Sequence, residues 1–496
     1  MAARDAGGRR RAVILVASLV VLISLPFDLI PLLRGPAPYP PEWQWAFRPG
    51  GPSRPLLAAA ACALGLLALL LASGTARARR RPIAALRALV IGAVLLGCGL
   101  QLGLLAREPD GPLRTLLSRT RSRSFTSYHT VAISPEARDP SSFLRHHAER
   151  LPELARSAKH AATHPPGPVL FYRASLALCE ASSTLTNGLL QAAGVPNREF
   201  RAPATRAARA AALLGALVLG LLGALAAWPI AHLARCLGVE DLAAARLGIL
   251  WALLPGPALM TPQFDQALAL PIAGATVLLR TAGGTTRRGP MLATLAGLLG
   301  GIGIFTSYGA AAFLAIGGIA AFAAAEEEPA RLRRSTGLAT IAAAVAGLVA
   351  FVVPALLGHQ PLRAMLSALT IHREMYTAPR SYALWLVFNP VDLALFLGVP
   401  VATAGLMLMP QVVRRAAPDA ARAPRDRFRL AVLAGVVILL ALGVTRGEVG
   451  RIWIPLMPLL LVASLGGHDA PDRKDALLQG TLLAALTLTI GSYWVV

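Results

Sequence analysis

Ionisable side chains recur in this chain at the ends of apolar runs. There a carboxylate can take a proton and a guanidinium can hold a phosphate. Asp28 follows one such run, in Leu25-Pro26-Phe27-Asp28-Leu29-Ile30-Pro31, with Glu42 further on in Tyr39-Pro40-Pro41-Glu42-Trp43-Gln44-Trp45. Asp265 lies between two runs, in Thr261-Pro262-Gln263-Phe264-Asp265-Gln266. A third junction holds Thr445-Arg446-Gly447-Glu448-Val449-Gly450-Arg451, and a fourth holds His372, Arg373, Glu374 and Tyr376. An acid at membrane depth is a functional residue by default, because burying its charge is costly. The plainer reading of each is an interfacial residue that ends a helix, and of Trp43 and Trp45 a pair of interfacial anchors. Acids and arginines at several helix ends on one side are the layout expected of a binding or catalytic cavity.

The stretch from Arg107 to Lys159 carries ten basic and six acidic residues, and 106–167 holds five of the nine histidines: His129, His146, His147, His160 and His164. Its positive surface suits an anionic ligand such as a lipid phosphate, or is the solvated face of an amphipathic helix from Ser141 to Ala162. His160 and His164 have the i,i+4 spacing of metal ligands, but Pro165-Pro166 disfavours helical geometry at His164. No metal site and no cofactor is therefore assigned. The four cysteines, Cys62, Cys98, Cys179 and Cys236, lie in mostly apolar segments without metal-binding spacing.

These residues need a scaffold, and composition names its class. Of 496 residues, 55% are hydrophobic and 15% charged, with a mean hydropathy of +0.59. Soluble domains carry about 25% charged residues, so the expected fold is an all-α, polytopic transmembrane bundle in one domain. A bilayer core needs roughly 20 apolar residues per helix, and on that criterion about 13 spans are expected. Within 289–325, Gly300 to Gly309 reads as a tight turn between two short helices, and 167–193 spans, re-enters or lies at the interface. The formal charge of +23 is dispersed between apolar runs, which excludes a nucleic-acid partner. Arginine-rich segments 77–81, 280–288, 331–334, 414–429 and 473–474 are expected in the cytoplasm. That places loops 26–55, 106–167, 261–266, 358–389 and 446–451 outside.

The Asp at the outer end of the first helix, the segment His164-Pro165-Pro166-Gly167-Pro168 and Asp265 at a later outer junction resemble the GT-C superfamily of polytopic glycosyltransferases. The bacterial relatives of protein O-mannosyltransferases and lipid A aminoarabinose transferases are the most similar group. Phe305-Thr306-Ser307-Tyr308-Gly309 and Gly447-Glu448-Val449-Gly450-Arg451-Ile452-Trp453 also look like segments of that superfamily. The resemblance implies a GT-C-like bundle with helical exoplasmic loops in a bacterial cytoplasmic (inner) membrane, its site facing outward. It implies transfer of a sugar from a polyprenyl-phosphate donor to a lipid, glycan or protein acceptor. Asp28 matches the first-loop carboxylate that activates the acceptor hydroxyl. Arg451, Arg373 and His164 are candidates for holding the departing phosphate, with Asp265, Glu448 and Tyr308 as further substrate-binding positions. The chain departs from the pattern in lacking a second acid beside Asp28 and in carrying the hairpin 56–106 between that loop and the His-Pro-Pro segment. A transporter or lipid flippase is the alternative, and a ligase or polymerase of lipid-linked glycans a third reading.

Overall fold

The computed structural model describes residues 2–49, 56–195, 203–325, 329–414, 423–465 and 472–495. About 80% of the described residues are helical. Among the described residues the sole strand pairing joins Ala46–Phe47 antiparallel to Trp494–Val495. Among the described residues six helices are long and apolar enough to cross a membrane: Gly8–Phe27, Pro82–Leu105, Ala204–Cys236, Gly289–Thr306, Ala330–Leu356 and Arg473–Tyr493. A bent pair, Tyr382–Leu397 and Val399–Met409, makes a seventh if counted as one span. Large apolar side chains point outward along these helices, among them Val16, Val20, Ile23, Leu95 and Ile302. In water such a belt would be an aggregation surface; in a bilayer it faces lipid. The protein is a helical membrane protein.

Six or seven is fewer than the expected 13, and prolines and glycines account for much of the gap. The run Ala244 to Met260 reads as one span but divides into Asp241–Leu253 and Pro255–Leu259. Leu254, forced extended by the following proline, separates them. Gly398, at φ +90°, turns the chain by 118° inside the run Val391 to Met409. Apolar helices too short to cross alone include Leu57–Ala72, Ala310–Ala323 and Ile454–Leu465. The segment 167–193 forms two helices, Gly167–Ala181 and Ser183–Ala192, neither long enough to span.

Two expectations are met closely. The glycine-rich stretch turns at 307–309, between Gly289–Thr306 and Ala310–Ala323. The amphipathic segment forms Pro140–Ser157 and Lys159–Ala162, burying Phe143, Leu144, His147, Ala148 and Leu151 along one face. That face packs on Ala364 and Ala368 of the helix Pro361–His372.

The polar segments sort to opposite ends of the bundle. At one end Arg11 pairs with Asp475, Arg246 donates to Ser73 Oγ at 2.9 Å, Arg334 to the Thr285 carbonyl, and Arg427 to the Ala325 carbonyl at 2.6 Å. Of the basic segment 414–429, residues 415–422 lie outside the described residues. Loops 106–167, 261–266, 358–389 and 446–451 meet at the other end, around a cavity.

Candidate functional site

The cavity, about 160 Å³, is built at the level where these loops meet. His164, Asp265, Tyr308, Glu448 and Arg451, predicted from four separate segments, all line it. Two predicted residues do not.

Arg451 anchors the charged wall. Its Nη2 meets Glu448 Oε2 at 2.8 Å, and its Nε lies 4.0 Å from Asp265 Oδ2 without any hydrogen-bond acceptor among the described residues. Burial opposes the guanidinium's charge, but Glu448 and Asp265 together hold its pKa above the usual arginine value. Arg380 stands 3.6 Å from the other Glu448 oxygen. Burial pushes the Asp265 carboxyl up to about 6, with Arg451 opposing and Glu448 adding to the shift. Asp265 is thus an acid balanced between its two protonation states near neutral pH, the condition for proton transfer.

The loop carrying Glu448 and Arg451 is held by side chains one helical turn apart on Tyr382–Leu397. Asn389 bonds the Thr445 carbonyl at 2.8 Å and accepts from the Gly447 amide at 3.1 Å. Asp392 accepts from the Gly450 amide at 2.8 Å and from Trp45 Nε1 at 2.9 Å. Gly447, at φ +93°, packs against Arg380, Trp43 and Trp385, so both its backbone and its surroundings exclude a side chain.

The opposite wall joins two sequence motifs. The helix Lys159–Ala162 ends before His164, as the two prolines dictate, and Gly167 opens the next helix directly against the Phe305 carbonyl. A Cβ there would collide with that backbone, so glycine is what lets the His-Pro-Pro segment approach Ser307 and Tyr308. His164 lies edge-on to Tyr128, with ring centroids 5.4 Å apart, and its Nδ1 bonds the His160 carbonyl at 2.9 Å. Burial, reinforced by His160, pushes His164 down to about 3, so it is a neutral imidazole in the working range. The Tyr308 hydroxyl is buried without a hydrogen-bond partner among the described residues, and burial raises its pKa.

Asp28 does not line the cavity. The first helix ends at Phe27, Asp28 takes φ +49°, and both its carboxylate oxygens are held by Arg34 at 2.9 and 2.7 Å. Arg373 is also misplaced by the sequence reading. A π turn, Arg373–Thr377, follows Pro361–His372; it directs His372 and Tyr376 into the cavity and leaves Arg373 exposed. Trp45 is buried rather than an interfacial anchor, and Glu42 accepts from Trp385 Nε1 at 2.6 Å and the Ser381 amide at 2.8 Å.

Sequence reasoning missed Tyr128, Arg380 and Asp392. Asp392 carried a signal, being the single acid in an apolar run read as a span. Tyr128 and Arg380 carried none, since both lie in polar loops. Among the described residues no three His, Cys, Asp or Glu side chains are grouped to hold a metal ion. Comparison with protein-family models, with curated proteins and with solved structures finds no match.

Proposed function

We propose that this protein is a membrane glycosyltransferase that moves a sugar from a polyprenyl-phosphate-linked donor to a lipid, glycan or protein acceptor. The proposal places it in a bacterial cytoplasmic membrane with the cavity facing outward and a GT-C-like fold. It also takes the short and broken helices as entering the bilayer, towards the count of 13.

One observation carries the reading. Asp265, with its pKa near 6, and Arg451, with an unsatisfied Nε, face each other across 4.0 Å at the end of a lipid-facing bundle. In the reaction the acceptor oxygen attacks the anomeric carbon. The bond from that carbon to the phosphate oxygen breaks, and its electron pair leaves with the phosphate. Asp265 takes the hydroxyl proton, and Arg451, backed by Arg380, meets the charge developing on the leaving group. Asp265 replaces Asp28 as the base, because Arg34 occupies both Asp28 oxygens.

A carrier or flippase is favoured by one feature, the 118° break between Tyr382–Leu397 and Val399–Met409 with Asp392 beside it. One experiment separates the two readings. The protein is reconstituted in sealed vesicles with a labelled polyprenyl-phosphate sugar and membrane acceptors. A covalent product supports the transferase; label crossing the bilayer with no new bond supports the carrier.

A further inference from the structure

We infer that Arg119 forms the core of a second anion site, which takes a phosphate group beside the Asp265 cavity. Arg119 lies in the last turn of the amphipathic helix Pro112–Arg121 and heads an Arg-Ser alternation, Arg119-Thr120-Arg121-Ser122-Arg123-Ser124. Together with Ser118, Ser122, Ser124 and Phe125 it lines a shallow cleft.

The half-buried guanidinium is under-compensated. It lies 5.2 Å from the centre of the Phe125 ring, and its one hydrogen bond among the described residues is a long one, Nη1 to the Thr261 carbonyl at 3.3 Å. Among the described residues it has no acidic partner within ion-pair distance. Glu108, the nearby acid, is already engaged by Arg48 at 3.1 Å and Arg107 at 3.0 Å. Burial lowers the Arg119 pKa to about 10, with Arg107 and Arg48 adding to the effect and Glu108 opposing it. Charges buried in proteins are normally paired. A guanidinium with most of its five donors free, beside hydroxyls at Ser122 and Ser124 that lie 3.0 Å apart, has the donor set of a phosphate site.

Its position gives the site a use. Thr261 starts the turn that carries Gln263 and Asp265. Gln263 Nε2 donates to the Phe125 carbonyl at 3.4 Å, and the His160 ring bonds the Ser124 carbonyl at 3.2 Å. Gln263 and His160 also line the main cavity, so cleft and cavity share a wall. An acceptor whose phosphate docks on Arg119 presents its neighbouring groups towards Asp265. That assignment of the anion to the acceptor rests on the transferase reading; binding itself does not.

The test uses the full-length protein in phosphatidylcholine nanodiscs and reads binding, not transfer. Phosphatidic acid is titrated in one arm and followed by native mass spectrometry. Inorganic phosphate is titrated in the other and followed by 31P line width. The proposal expects affinity to fall at least tenfold in Arg119→Gln and by less than threefold in Arg119→Lys. Arg451→Gln reports separately on any anion held in the main cavity. Loss of phosphatidic acid binding alone identifies a lipid headgroup, whereas loss in both arms identifies a phosphate group recognised without its lipid. Unchanged binding in a folded Arg119→Gln protein overturns the proposal. Should that variant not fold, the double substitution Ser122→Ala, Ser124→Ala is read instead, with a threefold loss expected and no change counting against the site.

Discussion

Asp265 and Arg451 stand 4.0 Å apart with no hydrogen bond between them, although both are mostly buried at the mouth of the same helical bundle. A hydrogen-bonded ion pair would fix Asp265 as a spectator anion. The gap leaves its carboxyl raised to about 6 by burial and leaves Arg451 Nε free to meet a ligand.

The first prediction concerns that carboxyl. In the proposed reaction Asp265 is the base and must be ionised, so kcat/KM is expected to fall about tenfold per pH unit below about 6. The sign for stability is opposite. A carboxyl whose folded pKa lies above its ordinary value of 3.8 stabilises the fold in acid and loses that contribution as pH rises through about 6. Asp265→Asn, which mimics the protonated acid, should therefore stabilise the fold at pH 8 by up to about 3 kcal/mol, read as a higher melting temperature, while reducing transfer at least 100-fold. A variant that keeps full transfer, with an unshifted pH profile, removes Asp265 as the base.

Arg451→Gln should lower kcat about 100-fold or more, in the range of a lost transition-state donor. It also strips Glu448 of its 2.8 Å partner, with Arg380 left at 3.6 Å. A buried carboxylate losing its main cation costs about 3 kcal/mol, measurable by thermal or denaturant unfolding in detergent. Arg451→Lys should recover the stability more fully than the rate, because an ammonium cannot reproduce the guanidinium fork.

Asp28→Asn is expected to behave as a structural change. The bidentate pair with Arg34 is mostly buried, with side-chain exposures of 22% and 13%, so its loss costs about 1–2 kcal/mol. Transfer by the surviving folded protein should stay within about threefold of wild type. Steady-state transfer normalised to folded protein decides the matter, and a loss of several orders of magnitude would restore Asp28 to the chemistry.

The contact between Pro140–Ser157 and Pro361–His372 should weaken in acid. His147 is fully buried with neither ring nitrogen hydrogen-bonded among the described residues, and His359 lies 5.4 Å away between ring centroids. Burial, with His359 adding, holds His147 down to about 3. The unfolded imidazole titrates near its ordinary 6.5, so stability present above that value is lost as pH falls towards 3. Hydrogen exchange in both helices should accelerate over this window, and His147→Leu should flatten the response.

Much of the site was legible because its motifs mark helix ends, where chain breaks and charges coincide. The turn at 307–309 could be read as a bend from composition alone. What composition lacks is the direction of each side chain. Arg373 and Tyr376 are three positions apart, and a π turn decides which faces the cavity. Asp28 had the right type and depth, yet Arg34, six residues on, claims it through a local loop conformation. The number of long helices was not legible for a related reason. Hydropathy sums the oil in a segment but does not see where Leu254 or Gly398 redirects it.

The short strand pair gives the fold an order of assembly. Ala46–Phe47 finds its partner only in Trp494–Val495, and Arg107 fastens the same corner by donating to the carbonyls of Gly491 and Trp494. The first loop leaves the ribosome hundreds of residues before these partners do. Until the helix Arg473–Tyr493 is inserted, that loop lacks its strand partner, and the corner beside Trp45 and Asp392 stays unclosed. The loop beneath the cavity wall thus stays unfinished until Arg473–Tyr493 arrives, so that a stalled or partly inserted chain exposes an open edge.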